Sequence, residues 1–181
     1  MGPFGGSTRP GPSPADEPSH TGQSETRSET KNFVDSFLQV NFGWPPPRGE
    51  SLHRITGRAR KCVPSALSAV TGASTHDIAA IMRDLLDRPA IHGATMGESA
   101  LTLTALCYGA DLVEHNPALT LRRWVMEAEP GRYIVRRRGH QMAVAVGDGW
   151  SHWADSRNRD PRPIDTAPLK CRITHSIRVR D

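Results

Sequence analysis

The chain has 181 residues with 23 Lys and Arg against 19 Asp and Glu, a formal net charge of +4 and a pI near 9.3. That length holds one ordinary domain plus a tail, and the mild basic excess excludes a dedicated nucleic-acid binder while leaving acidic partners open. Three cysteines exclude a disulfide framework. No stretch resembles a signal peptide or reaches the roughly 18 apolar residues of a membrane helix, so the sequence predicts a reduced, cytoplasmic protein that no membrane span anchors.

Residues 1–30 are Gly, Pro, Ser, Thr and charge with a single aromatic, and bury too little apolar surface to offset the entropy of ordering. They read as a disordered tail, in which Gly5-Gly6 is a flexible pair. Residues 31–54 read as an arm: Phe33, Val34, Phe37, Leu38 and Phe42 share a helical stripe, and GWPPPRGE must be extended. The domain is expected over 55–181.

Its first elements are helical. Val63 to Val70 forms one helix and Ser74 to Asp87 a second, with Ile78, Ile81, Met82, Leu85 and Leu86 at helical spacing behind a Ser/Thr cap. Thr95-x-x-Glu98 is a capping box for a third, running through SALTLTALCYG to a stop at Gly109. A short strand, DLVEH, follows, and Thr120 caps a helix LRRWVMEA. RYIVRRR, HQMAVAVGD and WSHWAD then read as three strands in quick succession, and CRITHSIRVR as a last one in which Ile173, His175, Ile177 and Val179 alternate with polar residues. No internal repeat is present. Helices first and antiparallel strands second indicate an α+β domain.

Cys62 falls at the start of the first of these helices, where unpaired N–H groups and the helix dipole favour an anion. Arg58, Arg60 and Lys61 precede it, and both effects raise the thiolate fraction, the form that attacks. Pro64, near the helix start, needs no N–H partner. A thiolate used in acyl transfer needs an imidazole and a group to orient it. His140 opens an apolar strand behind Gly139, whose missing side chain leaves space beside it, and Asp155 ends the next strand 15 positions on, within reach across a hairpin. Asp155 alternatively caps the turn DSRNRDP. Cys107, on the stripe of the third helix, and Cys171, opening the last strand, read as core residues.

CVPSALSAVTG followed by GRYIVRRRGHQMAVAVGDGWSHWADS resembles the papain-like cysteine peptidases, in particular the compact branch that includes bacteriocin-leader-processing peptidases, over roughly residues 55–165. The resemblance implies a papain-like fold with N-terminal helices packed on a C-terminal antiparallel sheet. It also implies Cys62 as nucleophile, His140 as general base and then acid, and Asp155 as the group orienting the imidazole. The glutamine that such enzymes often carry shortly before the cysteine is absent from LHRITGRARKC; the backbone N–H of Cys62 with His53, Thr56 or an arginine are the candidates to hold the oxyanion in its place.

Trp150 and Trp153 either wall a substrate groove or cap the core. Arg136, Arg137 and Arg138 before His140, and Arg157, Arg159 and Arg162 after Asp155, either flank a cleft that grips an acidic protein, peptide or phosphates, or line a solvated strand end and loop. His152, His175 and Cys171 lack zinc-like spacing, so no metal and no cofactor is expected. Two functions are therefore expected to compete. One is a thiol hydrolase acting on a peptide, isopeptide or related amide bond of a peptide or protein substrate, with transferase or deamidase variants of the same chemistry. The other is a catalytically weak papain-like interaction module, accessory, virion or nucleic-acid associated, that binds an acidic partner.

Overall fold

The computed structural model describes residues 51–58 and 61–181; the expected tail over 1–30, the arm stripe over 31–42 and Arg60 lie outside the described residues. The elements run α1 (Cys62–Thr71), α2 (Thr75–Leu86), α3 (Met96–Ala105), β1 (Gly109–Glu114), α4 (Leu121–Glu127), β2 (Gly131–Arg137), β3 (His140–Gly147), β4 (Trp150–Ala154), β5 (Arg162–Pro163), a 3-10 turn (Ile164–Thr166) and β6 (His175–Arg180). Six antiparallel strands in the order β1-β6-β2-β3-β4-β5 form one sheet. This is the α+β arrangement of helices followed by an antiparallel sheet.

The alternation of the strands divides the core in two. Ile134, Ala143, Ala145, Ala154, Ile177 and Val179 face α1, α2 and α3, whereas Tyr133, Val135, Met142, Val144, Val146 and Trp153 face Leu121 and Trp124 of α4. Helix α1 is buried from Val63 to Thr71, and its small Ala66 and Ala69 share one buried cluster with the equally small Ala143, Ala145 and Ala154 of the sheet. Small against small allows close approach of helix and sheet, and carries the N-terminus of α1 to the start of β3. Leu52 and Ile55, before α1, are buried in the same cluster.

The hairpin between β2 and β3 is fixed by its turn. Arg137 pairs with His140 across the two-residue loop Arg138-Gly139, both with positive φ (39° and 76°), the type I′ geometry that follows the natural twist of the strands. The space where a Cβ would stand on Gly139 is open, so the glycine answers the left-handed backbone rather than crowding beside His140.

Two expected elements end elsewhere. The third helix stops at Ala105, because Cys107 takes the left-handed cap position (φ 63°) and the Tyr108 N–H closes onto the Leu103 carbonyl, leaving Leu106 and Tyr108 buried and Cys107 exposed instead of in the core. The last strand begins at His175, not Cys171. Residues 171–174 bond with the approach to α4 (Leu121 N–H to the Cys171 carbonyl, Ile173 N–H to the Leu119 carbonyl), which puts Ile173 in the α4-side cluster while Ile177 and Val179 face the other helices. The alternation expected over Ile173 to Val179 breaks there. The short β5 and the 3-10 turn carry too little pattern to be predicted.

Candidate active site

Cys62 is the first residue of α1 and half-buried. The N-cap, Lys61, makes no side-chain cap, so no side chain competes for the N–H groups at this helix start. The thiol is held below its ordinary value of 9.0. The first cause is its hydrogen bond with the His140 ring; burial works in the opposite direction, and the N–H groups of Gln141 and Val63 and the charge of His140 add to the depression. Of the described basic residues ahead of the cysteine, neither Arg58 nor Lys61 is among these causes: Lys61 lies 3.2 Å from His92 Nδ1, and Arg58 is exposed.

His140 lies at the first position of β3 with its Nε2 3.2 Å from Asp155 Oδ2. Its pKa is raised from 6.5 to about 9, first by the hydrogen bond to Asp155, then by the one to Cys62, against the opposing effect of burial. Asp155 follows directly on β4 and is 2% exposed. Burial alone would raise its pKa, but the hydrogen bond from His140 and the N–H groups of Asn158 and Arg157 hold the carboxyl at about 2. The two roles left open by the sequence coexist, since Oδ1 accepts from the N–H of Arg157 (2.9 Å) and Asn158 (2.8 Å) while Oδ2 faces the imidazole.

Two cavities meet at the sulfur. One of about 670 Å³ is lined by Cys62, His140, Ser156, Arg157 and Arg159. The other, about 370 Å³, is bounded by Cys62, Arg88, His92, Glu98, Arg136 and Gly139 among others. The Arg159 guanidinium donates to the Gly57 carbonyl and the Ile55 N–H donates to the Arg159 carbonyl (2.8 Å), so the turn after Asp155 is fastened to the strand-like approach to Cys62.

The remaining expected residues are dispersed. His53 and Thr56 line neither cavity; the His53 N–H is spent on the Ala69 carbonyl, and Thr56 is exposed with its carbonyl bonded by the Thr75 N–H. Trp153 caps the α4-side core, its Nε1 2.9 Å from Thr166 Oγ1. Trp150 lies at the opposite end of β3 from His140, paired with Gly147 and stacked near His152, and borders a different cavity. Alternation turns Trp153 to the α4 side, whereas Trp150, on the other face, is kept from the sulfur by its place at the far end of the β3–β4 hairpin from His140. Of the basic residues, Arg136, Arg157 and Arg159 border the two cavities, whereas Arg137 bonds the Cys171 thiol, Arg138 forms the exposed turn and Arg162 is exposed on β5. Cys171 has its thiol pushed up by burial, opposite to Cys62. Among the described residues no three His, Cys, Asp or Glu side chains converge on a point that would hold a metal ion, and no helix among them is long and apolar enough to cross a membrane.

Gln141 is the residue that sequence reasoning passes over. Fully buried within β3, it accepts from Ser99 Oγ (2.9 Å) and donates Nε2 to the Ala94 carbonyl (3.1 Å), tying the start of α3 to the strand while its own N–H reaches the Cys62 sulfur. The available signal is a lone amide on the inward phase of HQMAVAV, since a buried polar group must have a partner.

No protein-family model and no curated protein matches the chain. Among solved structures, the peptidase domain of Streptococcus ComA, a bi-functional ABC transporter involved in a quorum sensing pathway, matches with a TM-score of 0.50 and 13% identity over 73% of this chain and 98% of that one. A double-glycine motif protease from an AMS/PCAT transporter, in complex with the leader peptide, matches with a TM-score of 0.48 and 13% identity over 75% and 96%. The chain thus has the fold of the ComA peptidase domain, the papain-like arrangement of helices and antiparallel sheet.

Proposed function

We propose that this chain is a thiol hydrolase that cleaves peptide or related amide bonds with Cys62 as nucleophile, His140 as general base and acid, and Asp155 as the residue that positions the imidazole. The observation that carries the reading is the imidazole held between a depressed thiol and a buried carboxylate, with Nε2 turned to Asp155. Nδ1 is then the nitrogen left for the sulfur. With His140 raised to about 9 and Cys62 held below its ordinary 9.0, both shifts favour the thiolate and imidazolium form of the pair.

In the reaction the Cys62 sulfur forms a bond to the substrate carbonyl carbon, and the carbonyl π electrons move onto oxygen. As the tetrahedral adduct collapses, the C–N bond breaks and His140 gives its proton to the departing amine. Neutral His140 then takes a proton from water, whose oxygen displaces sulfur from the thioester, releasing the acid and restoring the pair. Asp155 stabilises the imidazolium and keeps the ring in plane throughout, and the shared fold belongs in its solved neighbour to a peptidase domain, which agrees with the reading.

The test is digestion of a proteome-derived peptide library by the full chain, read by mass spectrometry. Cleavage that disappears in both Cys62→Ala and His140→Ala is the expected result. A native chain that leaves the library intact, with Cys62 alkylated no faster than Cys107, would overturn the proposal and leave a papain-like interaction module.

A further inference from the structure

We propose that the substrate of this site is a peptide segment acidic around the scissile bond, its carboxylates held by Arg157 and Arg159 on one side of the sulfur and by Arg136 on the other. The inference rests on the reading of Cys62 as nucleophile, in that it names the substrate class of the same site. The larger cavity at Cys62 and His140 has two arginines in its wall and no free carboxylate. Neither Arg157 nor Arg159 has an ion-pair partner among the described residues. Acids lie close by in sequence, yet each is engaged elsewhere: Asp160 faces Arg54 at 3.0 Å, and both oxygens of Asp155 are bonded to His140 and to the turn N–H groups. The smaller cavity repeats the arrangement, its Glu98 taken by Arg88 at 2.5 Å while Arg136 has no ion-pair partner among the described residues.

Arg136 and Arg159 are half-buried and Arg157 is exposed; unmatched cations lining one cavity focus positive potential in it, and a planar guanidinium matches a carboxylate in two hydrogen bonds. These arginines are also placed with respect to the reacting atoms. The backbone of Arg157 is pinned by the carboxylate that positions His140, and the Arg159 side chain is anchored on Gly57 in the approach to Cys62. A single-stranded nucleic acid would need aromatic faces for its bases; the larger cavity offers no ring besides His140, and the smaller one none besides His92, so the lining favours carboxylates over bases.

The experiment has two arms. In the first, the full chain carrying Cys62→Ala is titrated with a fluorescein-labelled peptide of alternating Glu and Ala, and with its Gln-for-Glu counterpart, by fluorescence anisotropy. The Glu peptide is expected to bind about tenfold tighter at low salt, with the margin shrinking as salt is added and largely lost in Arg157→Gln/Arg159→Gln. Because Arg159 also ties down Gly57, Arg157→Gln alone is measured beside it and should lose part of the margin, with Arg157→Lys restoring some of it. Equal affinity for the two peptides, no measurable binding, a preference that survives the double variant, or tighter binding of an oligothymidylate of the same length would each overturn the inference.

The second arm digests the peptide library with the native chain. Cut sites are expected to be enriched in Asp and Glu within about three residues of the bond, the reach of a side chain on either flank, and the enrichment should fall in Arg157→Gln. Cleavage without acidic enrichment overturns the inference and leaves the hydrolase standing. Selective binding of the Glu peptide through these arginines, without any cleavage, does the reverse: the acidic ligand stands and the hydrolase falls.

Discussion

Replacing Asp155 by asparagine removes a charge while keeping the shape and the acceptor that the N–H groups of Arg157 and Asn158 use. The distance between the ordinary 6.5 of histidine and the value of about 9 for His140 corresponds to about 3 kcal/mol in favour of the imidazolium, with Asp155 the first cause and Cys62 the second. Assigning Asp155 the larger part makes its charge worth about 2 kcal/mol, or about thirtyfold in the imidazolium population that supports the thiolate. In a profile of Cys62 alkylation against pH, the native chain should react well below pH 9 and lose its imidazolium partner as pH rises through about 9. Asp155→Asn should move that upper limb toward 6.5 and slow alkylation at pH 7 by about tenfold or more, with exposed Cys107 as the internal reference. An unchanged profile in a variant that melts normally would show that the carboxylate does not set the state of the ring, and the reasoning from Oδ2 to sulfur would fail.

The same shifts fix the sign of the stability change with pH. Asp155, depressed to about 2, contributes stability that is full above its ordinary 3.8 and lost as pH falls toward 2; His140, raised to about 9, contributes below 6.5 and loses it as pH rises through 9. Thermal melts of the native chain and His140→Ala should therefore converge at alkaline pH and separate most between the ordinary 3.8 of the carboxyl and the ordinary 6.5 of the imidazole. Gly57→Ala should destabilise the chain by about 1–2 kcal/mol, because φ is +87° there and a Cβ would come within 2.6 Å of Thr75 Oγ1; the melting midpoint reads the loss, and Cys62 alkylation should weaken with it. Arg132→Ala should cost about 2–4 kcal/mol in denaturant unfolding, since this buried guanidinium donates to the Val70 carbonyl, pairs with Asp181 and sits over the Tyr108 ring, yet its alkylation profile should match the native one. Gln141→Leu leaves Ala94 without its donor and loosens β3 from the start of α3, so it should both lower the midpoint, by about 1–3 kcal/mol, and slow Cys62 alkylation.

The order of helices and strands was legible because each long element carries its own periodicity and cap, as at Thr95 and Glu98, whose two reciprocal hydrogen bonds are present. Cys62, His140 and Asp155 were legible as candidates because each lies at an element boundary, where the regular pattern of the element stops. What was hidden depends on partners distant in sequence. Nothing local in CRITHSIRVR tells that residues 171–174 are claimed by the approach to α4, and nothing in GWSHWAD tells that Trp153 packs on the α4 side while Trp150 lies at the far end of the hairpin from His140. The source of the thiol's depression was equally non-local: of the described residues, neither Arg58 nor Lys61 just ahead of Cys62 acts on it, whereas His140 and the N–H of Gln141, nearly eighty positions away, do.

That last difference bears on how the site is built. If neighbouring basic residues lowered the thiol, the cysteine would be activated by any chain that kept RARK ahead of it. Because the larger part of the depression comes from β3, it depends on α1 lying close against the sheet, where Ala66 and Ala69 share a buried cluster with Ala143 and Ala145. Enlarging one of them, as in Ala143→Val, adds volume where packing leaves no room and should push the helix start from the strand, at a cost of about 1–3 kcal/mol. The thiol would then rise toward 9.0 although no residue touching it had changed, so the rate of Cys62 alkylation at pH 7 measures the fit between α1 and β3. A variant with an altered melting midpoint and an unaltered Cys62 profile would separate the two, and would return the activation to the helix start alone.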